Sequence, residues 1–172
     1  IFTHGILVAG AGAVFNANGG TGTIQIGTVT TAVGIGVRND GAFFQNGTNI
    51  TITNVTNSGN GIFVATIGAG LTATYTQTTG DITITNVDGT ASPFTEGILV
   101  RGPGAVFNAT GGTILIVTVT AAIGIEVDND GVFTQNGTNI TITNVTNSGI
   151  GIFLSTPSPA LGVTATYTQT TG

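Results

Sequence analysis

Lysine, cysteine and tryptophan are absent from these 172 residues, and charge of either sign is scarce. Without cysteine the chain can build neither a disulfide framework nor a thiolate metal site. The only cations are Arg38 and Arg101, and against 7 carboxylates they leave a formal net charge of −5. No basic patch can form, which argues against nucleic acid and anionic membrane surfaces as partners. Charged residues make up 5% of the chain, against about 25% in an ordinary soluble protein. Disorder would need low hydrophobicity as well, yet 40% of the residues are hydrophobic. The longest nearly apolar run, 5–15, is too short to span a bilayer. No signal peptide is visible, and no stretch carries a helical period.

What the chain does have is repetition. QNGTNITITNVTNSG at 45–59 returns letter for letter at 135–149, and a third copy of its centre, DITITNV, occupies 81–87. Apolar and polar residues alternate through Ile50-Thr51-Ile52-Thr53, the period of a strand with one buried and one wet face. Asn46-Gly47 before it and Asn57-Ser58-Gly59 after it are turn residues. Two tandem repeats, 1–91 and 92–172, contain these strands: FTHGILV at 2–8 answers FTEGILV at 94–100, and TATYTQTTG at 72–80 returns at 164–172. Two residues are lost near Thr113 and two gained near Pro157 and Pro159. Because Gly80, the counterpart of Gly172, leads straight into a strand, the chain reads as a single solenoid segment of a longer array.

A shorter period is nested inside. Gly-Ile-x-Val occurs at 5–8, 34–37, 61–64, 97–100 and 124–127, and Gly-Ile-Phe-Leu at 151–154. The spacings are 29, 27, 36, 27 and 27 residues. Each unit holds three short strands separated by turns. The expectation is an all-β fold, a right-handed parallel β-helix of about six coils of ~27 residues. One coil cannot offset the entropy of ordering its own chain, so coils must stack, about 4.8 Å apart. Stacking predicts one buried ladder of Ile6, Ile35, Ile62, Ile98, Ile125 and Ile152, and another of Val8, Val37, Val64, Val100, Val127 and Leu154. A sandwich of hairpins closed by Asn-Gly and Asp-Gly turns is the rival architecture. Comparing the halves places Ala9/Arg101, Gly36/Glu126, Arg38/Asp128, Phe44/Thr134 and Asn60/Ile150 outward or in turns.

Candidate chemistry is sparse. His4, the single histidine, is replaced by Glu96 in the second repeat and reads as a surface or turn residue. No Ser-His-Asp arrangement is evident. Asp128 and Asp130, with Glu126 just before, supply oxygen ligands that could hold Ca²⁺, although Arg38 stands in the matching turn of the first repeat. The competing reading is a plain Asn/Asp/Gly turn. A glycosidase would need paired carboxylates on one face, and Asp40 and Asp130 are three coils apart. Thr51/Thr53, Thr83/Thr85 and Thr141/Thr143 would stack on an outward face, the kind of array that orders water in ice-binding β-helices. Gln25, Gly27, Leu115 and Val117 interrupt it. Leu115 and Val117 would themselves be exposed apolar residues, a possible lateral contact. No cofactor and no catalytic residue are indicated.

With the Gly-Ile-x-Val anchors, the Asn-Gly turns and the Ile-Thr-Ile-Thr-Asn-Val strands in view, the chain resembles the passenger repeats of bacterial autotransporters and filamentous-haemagglutinin-like adhesins. The resemblance is one of repeat style and brings no functional motif with it. It implies export, display at the cell surface through anchoring parts outside this sequence, and a rod-shaped stalk. The functional expectation is a non-enzymatic extracellular structural or adhesive repeat forming a rigid rod, stalk or self-assembling fibre. Its partners would be neighbouring repeats or copies of itself, with a surface receptor or glycan in addition, and it would make no direct membrane insertion. An ice-binding surface and a carbohydrate-binding or -cleaving β-helix are the alternatives.

Overall fold

A computed structural model describes residues 4–156 and 165–169. The described chain is all β. It winds through three parallel sheets in rotation, so each strand pairs with its counterpart one coil on, three places along in the first coils and four where the third sheet's rungs are split.

The first sheet stacks β1 (His4–Ala9), β4 (Val33–Arg38), β7 (Asn60–Ala65), β10 (Glu96–Arg101), β14 (Ile123–Asp128) and β18 (Ile150–Ser155). The second stacks β2 (Val14–Asn18), β5 (Gly41–Asn46), β8 (Ala73–Thr79), β11 (Ala105–Ala109), β15 (Val132–Gln135) and β19 (Thr166–Gln169). The third contains β3 (Thr23–Thr30), β6 (Asn49–Thr56) and β9 (Ile82–Asp88), then two interrupted rungs. These are β12 (Thr113–Ile116) with β13 (Val119–Thr120), and β16 (Asn139–Ile142) with β17 (Val145–Thr146). Five coils are complete and β18 and β19 begin a sixth.

Every ladder between named strands is parallel, which excludes the hairpin sandwich. Ile6, Ile35, Ile62, Ile98, Ile125 and Ile152 are register partners one above the next, and the valine column ending in Leu154 holds throughout. The third sheet adds Ile50, Ile82 and Ile114, with Ile52, Ile84 and Ile116 beside them, all fully buried. The second sheet contributes a column of rings, Phe15, Phe43, Tyr75, Phe107, Phe133 and Tyr167, stacked 4.6–5.4 Å apart and nearly parallel. Offset-stacked pairs of this kind add about 0.5–1.5 kcal/mol each beyond their burial.

Two local rules make the coils close. At the corners, Asn39-Asp40, Asn57-Ser58, Asn129-Asp130 and Asn147-Ser148 all take positive φ, between 44° and 70°, a region that short polar side chains tolerate. Within the first sheet, the anchor glycine lies against the next coil. A Cβ on Gly5, Gly34, Gly61, Gly97 or Gly124 would stand 2.5–2.8 Å from the carbonyl oxygen of the next glycine in the column. The direction of that missing Cβ, toward Val29 and Ile52 at Gly34 and toward Val87 and Ile116 at Gly97, is inward. The neighbouring isoleucine also points inward. The in-out alternation therefore slips at the glycine, and the residue before it turns to the outer face.

The irregular spacing of 36 residues has two sources. In the third coil the corner after β7 lengthens to residues 66–72, and the corner after β9 lengthens to residues 89–95. The second is pinned: Thr95 is fully buried, its hydroxyl donates to the Ser92 carbonyl and accepts from the Ser58 backbone N–H. The insertion near Pro157 and Pro159 lies outside the described residues.

Candidate functional site

Five of the nine charged side chains are gathered in one place. Both arginines and three of the seven carboxylates lie on the outer face of the first sheet, in β4, β10 and β14. The broad outer faces of the second and third sheets are mostly Thr, Asn and apolar residues, with Phe44 exposed on the second and Asp88 at the end of a third-sheet strand. The lengthened corner 89–95 carries Phe94 to the edge of the charged face, where it is 72% exposed. A cleft of about 360 Å³ opens on one side of it, lined by Val33, Arg38, Asn60, Phe63, Glu96, Leu99 and Arg101. A second of about 420 Å³ opens on the other, lined by Glu96, Arg101, Glu126, Asp128 and Phe153.

Glu96 and Glu126 come from adjacent coils, and their carboxyls are close enough to shift each other's protonation. Both residues are buried, at 3% and 6% exposure. Burial, reinforced by the neighbouring Glu126 charge, pushes the Glu96 carboxyl from 4.5 up to about 8, with Arg101 opposing. Burial also raises Glu126, against the pull of Arg101. One proton shared between close carboxylates is the arrangement that avoids two buried like charges. Arg101 Nε donates to Asp128 Oδ2 at 2.8 Å and its fork stands 4.0 Å from Glu126. Arg38 has no such partner among the described residues. Its guanidinium lies over the Phe63 ring, 4.8 Å from the centroid.

The sequence-derived candidates fall as follows. Glu126 and Asp128 face outward as expected, but they are buried and not solvated. Asp128 is occupied by Arg101, by Asn129 and by the Ser155 hydroxyl. Asp130 sits apart in the positive-φ corner. Among the described residues no three His, Cys, Asp or Glu side chains gather in a way that could hold a metal ion. Thr51 and Thr83 are register partners, but Leu115 follows Thr83 in the column and precedes Thr141. Thr53 and Thr85 are exposed on the same face, and Thr143 turns its hydroxyl onto the Val117 carbonyl. The second, third and fifth coils carry the Thr-x-Thr pair, and Leu115 and Val117 interrupt it in the fourth. Leu115 and Val117 are half-buried, and the most exposed large apolar residues are elsewhere, Ile67 at 85% and Phe94 at 72%.

Sequence reasoning missed Glu96 as a partner of Glu126. Ile98 and Val100 point inward, and strict alternation from them sends Glu96 inward too. The slip at Gly97 reverses it. The recurring anchor glycine was the available signal.

No family model matches the chain, and no curated protein or solved structure matches it either.

Proposed function

We propose that the chain is a rigid, non-enzymatic, extracellular structural or adhesive solenoid that extends by stacking coils of its own kind, end to end. The observation that carries this reading is the internal junction between the third and fourth coils. There Ile62 pairs with Ile98, Val64 with Val100, and Tyr75 stacks on Phe107. By the 92-residue repeat, the last coil's Ile152, Leu154 and Tyr167 are the counterparts of Ile62, Val64 and Tyr75. Ile6, Val8 and Phe15 of the first coil are the counterparts of Ile98, Val100 and Phe107. A last coil placed on a first coil would therefore repeat a junction that the molecule already contains.

The described lower end also suits a stacking partner. Ile140, Ile142, Ile152 and Tyr167 line a cavity of about 720 Å³, and Ile152, Phe153 and Leu154 are 37–46% exposed. Open strand edges of this kind pair with further strands. Surface display is proposed with the rod. It rests on the resemblance in repeat style and on the lack of cysteine and lysine.

The test is the assembly state of residues 1–172 by light scattering and electron microscopy. End-to-end filaments are expected, and Leu154→Lys is expected to shorten them to single rods. A monodisperse monomer at high concentration would count against the proposal.

A further inference from the structure

The two arginines are not in the same condition. Arg101 has Asp128 and Glu126 against it. Arg38 has no ion pair among the described residues, its Nε is buried without a hydrogen-bond partner, and desolvation lowers its pKa. A guanidinium stays charged in any protein setting, so a partly dehydrated one without an anion carries an uncompensated cost. Its stacking on Phe63 holds the fork in place at the wall of the cleft.

The same cleft holds a second unsatisfied atom. Asn60 Oδ1 is buried and accepts nothing. Buried polar atoms without partners are rare in folded proteins and call for an explanation. Two of them, of opposite hydrogen-bonding character, belong to residues that line a single cleft of about 360 Å³, within the range of about 300–1,000 Å³ usual for small-molecule sites. The remaining wall is apolar at Val33, Leu99 and Phe94 and polar at Ser58, at Arg101, which Asp128 already pairs, and at the Glu96 carboxyl, whose proton burial helps to hold.

This inventory specifies a ligand. It must bring one negative charge, because one guanidinium is uncompensated and the carboxylates next door repel a second. It must bring a hydroxyl or N–H to donate to Asn60. It must also offer an apolar ring face to Phe94 and Leu99. We propose that the cleft between Phe63 and Phe94 binds a small hydroxylated carboxylate of the sugar-acid class, its carboxylate on Arg38 and a hydroxyl on Asn60 Oδ1. The site lies on one flank of the column and does not depend on end-to-end stacking.

The experiment is calorimetric titration of the whole 1–172 chain with glucuronate, glucose and inorganic phosphate in parallel. Glucuronate is expected to bind, glucose at least tenfold more weakly, and phosphate more weakly than glucuronate. Arg38→Gln is expected to lower glucuronate affinity at least tenfold. Ala9 and Ala65 occupy the same place in the first and third coils, so an uncharged residue there is compatible with the fold. The melting temperature of the variant checks this. The proposal is overturned by absence of glucuronate binding, by equal affinity for glucose, by tighter binding of phosphate, or by an Arg38→Gln variant that binds as well as the parent.

Discussion

Tyr75 is fully buried between two phenyl rings, and its hydroxyl donates to Gln45 Oε1 at 2.8 Å. Tyr167 does the same for Gln135. In both cases a tyrosine of one coil satisfies the glutamine of the coil before it. The amide nitrogen of each glutamine is turned to corner carbonyls: Gln45 to Thr48 and Asp81, Gln77 to Gly80 and Thr113. The fourth coil breaks the pattern, because Phe107 stands where a tyrosine would serve Gln77, and Gln77 Oε1 is left buried with no donor. Restoring the missing hydroxyl with Phe107→Tyr is expected to stabilise the chain by about 0.5–1.5 kcal/mol in urea unfolding. Tyr75→Phe, which would orphan Gln45 Oε1, is expected to cost about 1–3 kcal/mol. An unchanged midpoint for both would show that these bonds carry no net weight.

At the scale of the element, the first sheet combines a legible inner face with an outer face that could not be read. Its isoleucine and valine columns follow from the Gly-Ile-x-Val spacing alone, because a parallel stack with identical rungs has one sensible register. The outer face depends on the slip at the anchor glycine, which no period-two argument contains. The pairing of Glu96 with Glu126, the approach of Phe94 and the burial of Asp128 were therefore invisible. In the third sheet, Thr51 and Thr83 were legible, while the breaks after Ile116 and Ile142 were not. The carboxyl pair has a measurable signature. Glu96 binds its proton more tightly folded than unfolded, so its stabilising contribution is whole below about 4.5 and fades as pH rises to about 8. The melting temperature is expected to fall across that window and level off above it. Glu96→Gln, which keeps the group neutral, is expected to flatten most of that slope. A profile that is flat in the parent would contradict the shared proton.

The whole molecule is a column in which each coil touches only its neighbours, so stability should be graded along the axis. Ile98 has rungs on both sides and no exposure, whereas Ile152 is 38% exposed. Ile98→Ala is expected to cost about 2–5 kcal/mol and Ile152→Ala much less. Amide hydrogen exchange is expected to be slowest in β7 and β10 and fastest in β1 and β16–β18, and uniform protection would argue against the graded column. The column also has a front. One of its three flanks carries both guanidiniums and the carboxyl pair, whereas the other carboxylates, Asp40, Asp81, Asp88 and Asp130, stand elsewhere with no cation on their own flanks. With a Debye length near 8 Å in physiological salt, added salt weakens attraction between opposite charges only where that front takes part, because it holds both cations. Side-by-side packing of columns that ignores sodium chloride must use the threonine and asparagine flanks, and packing that salt dissolves must use the arginine flank.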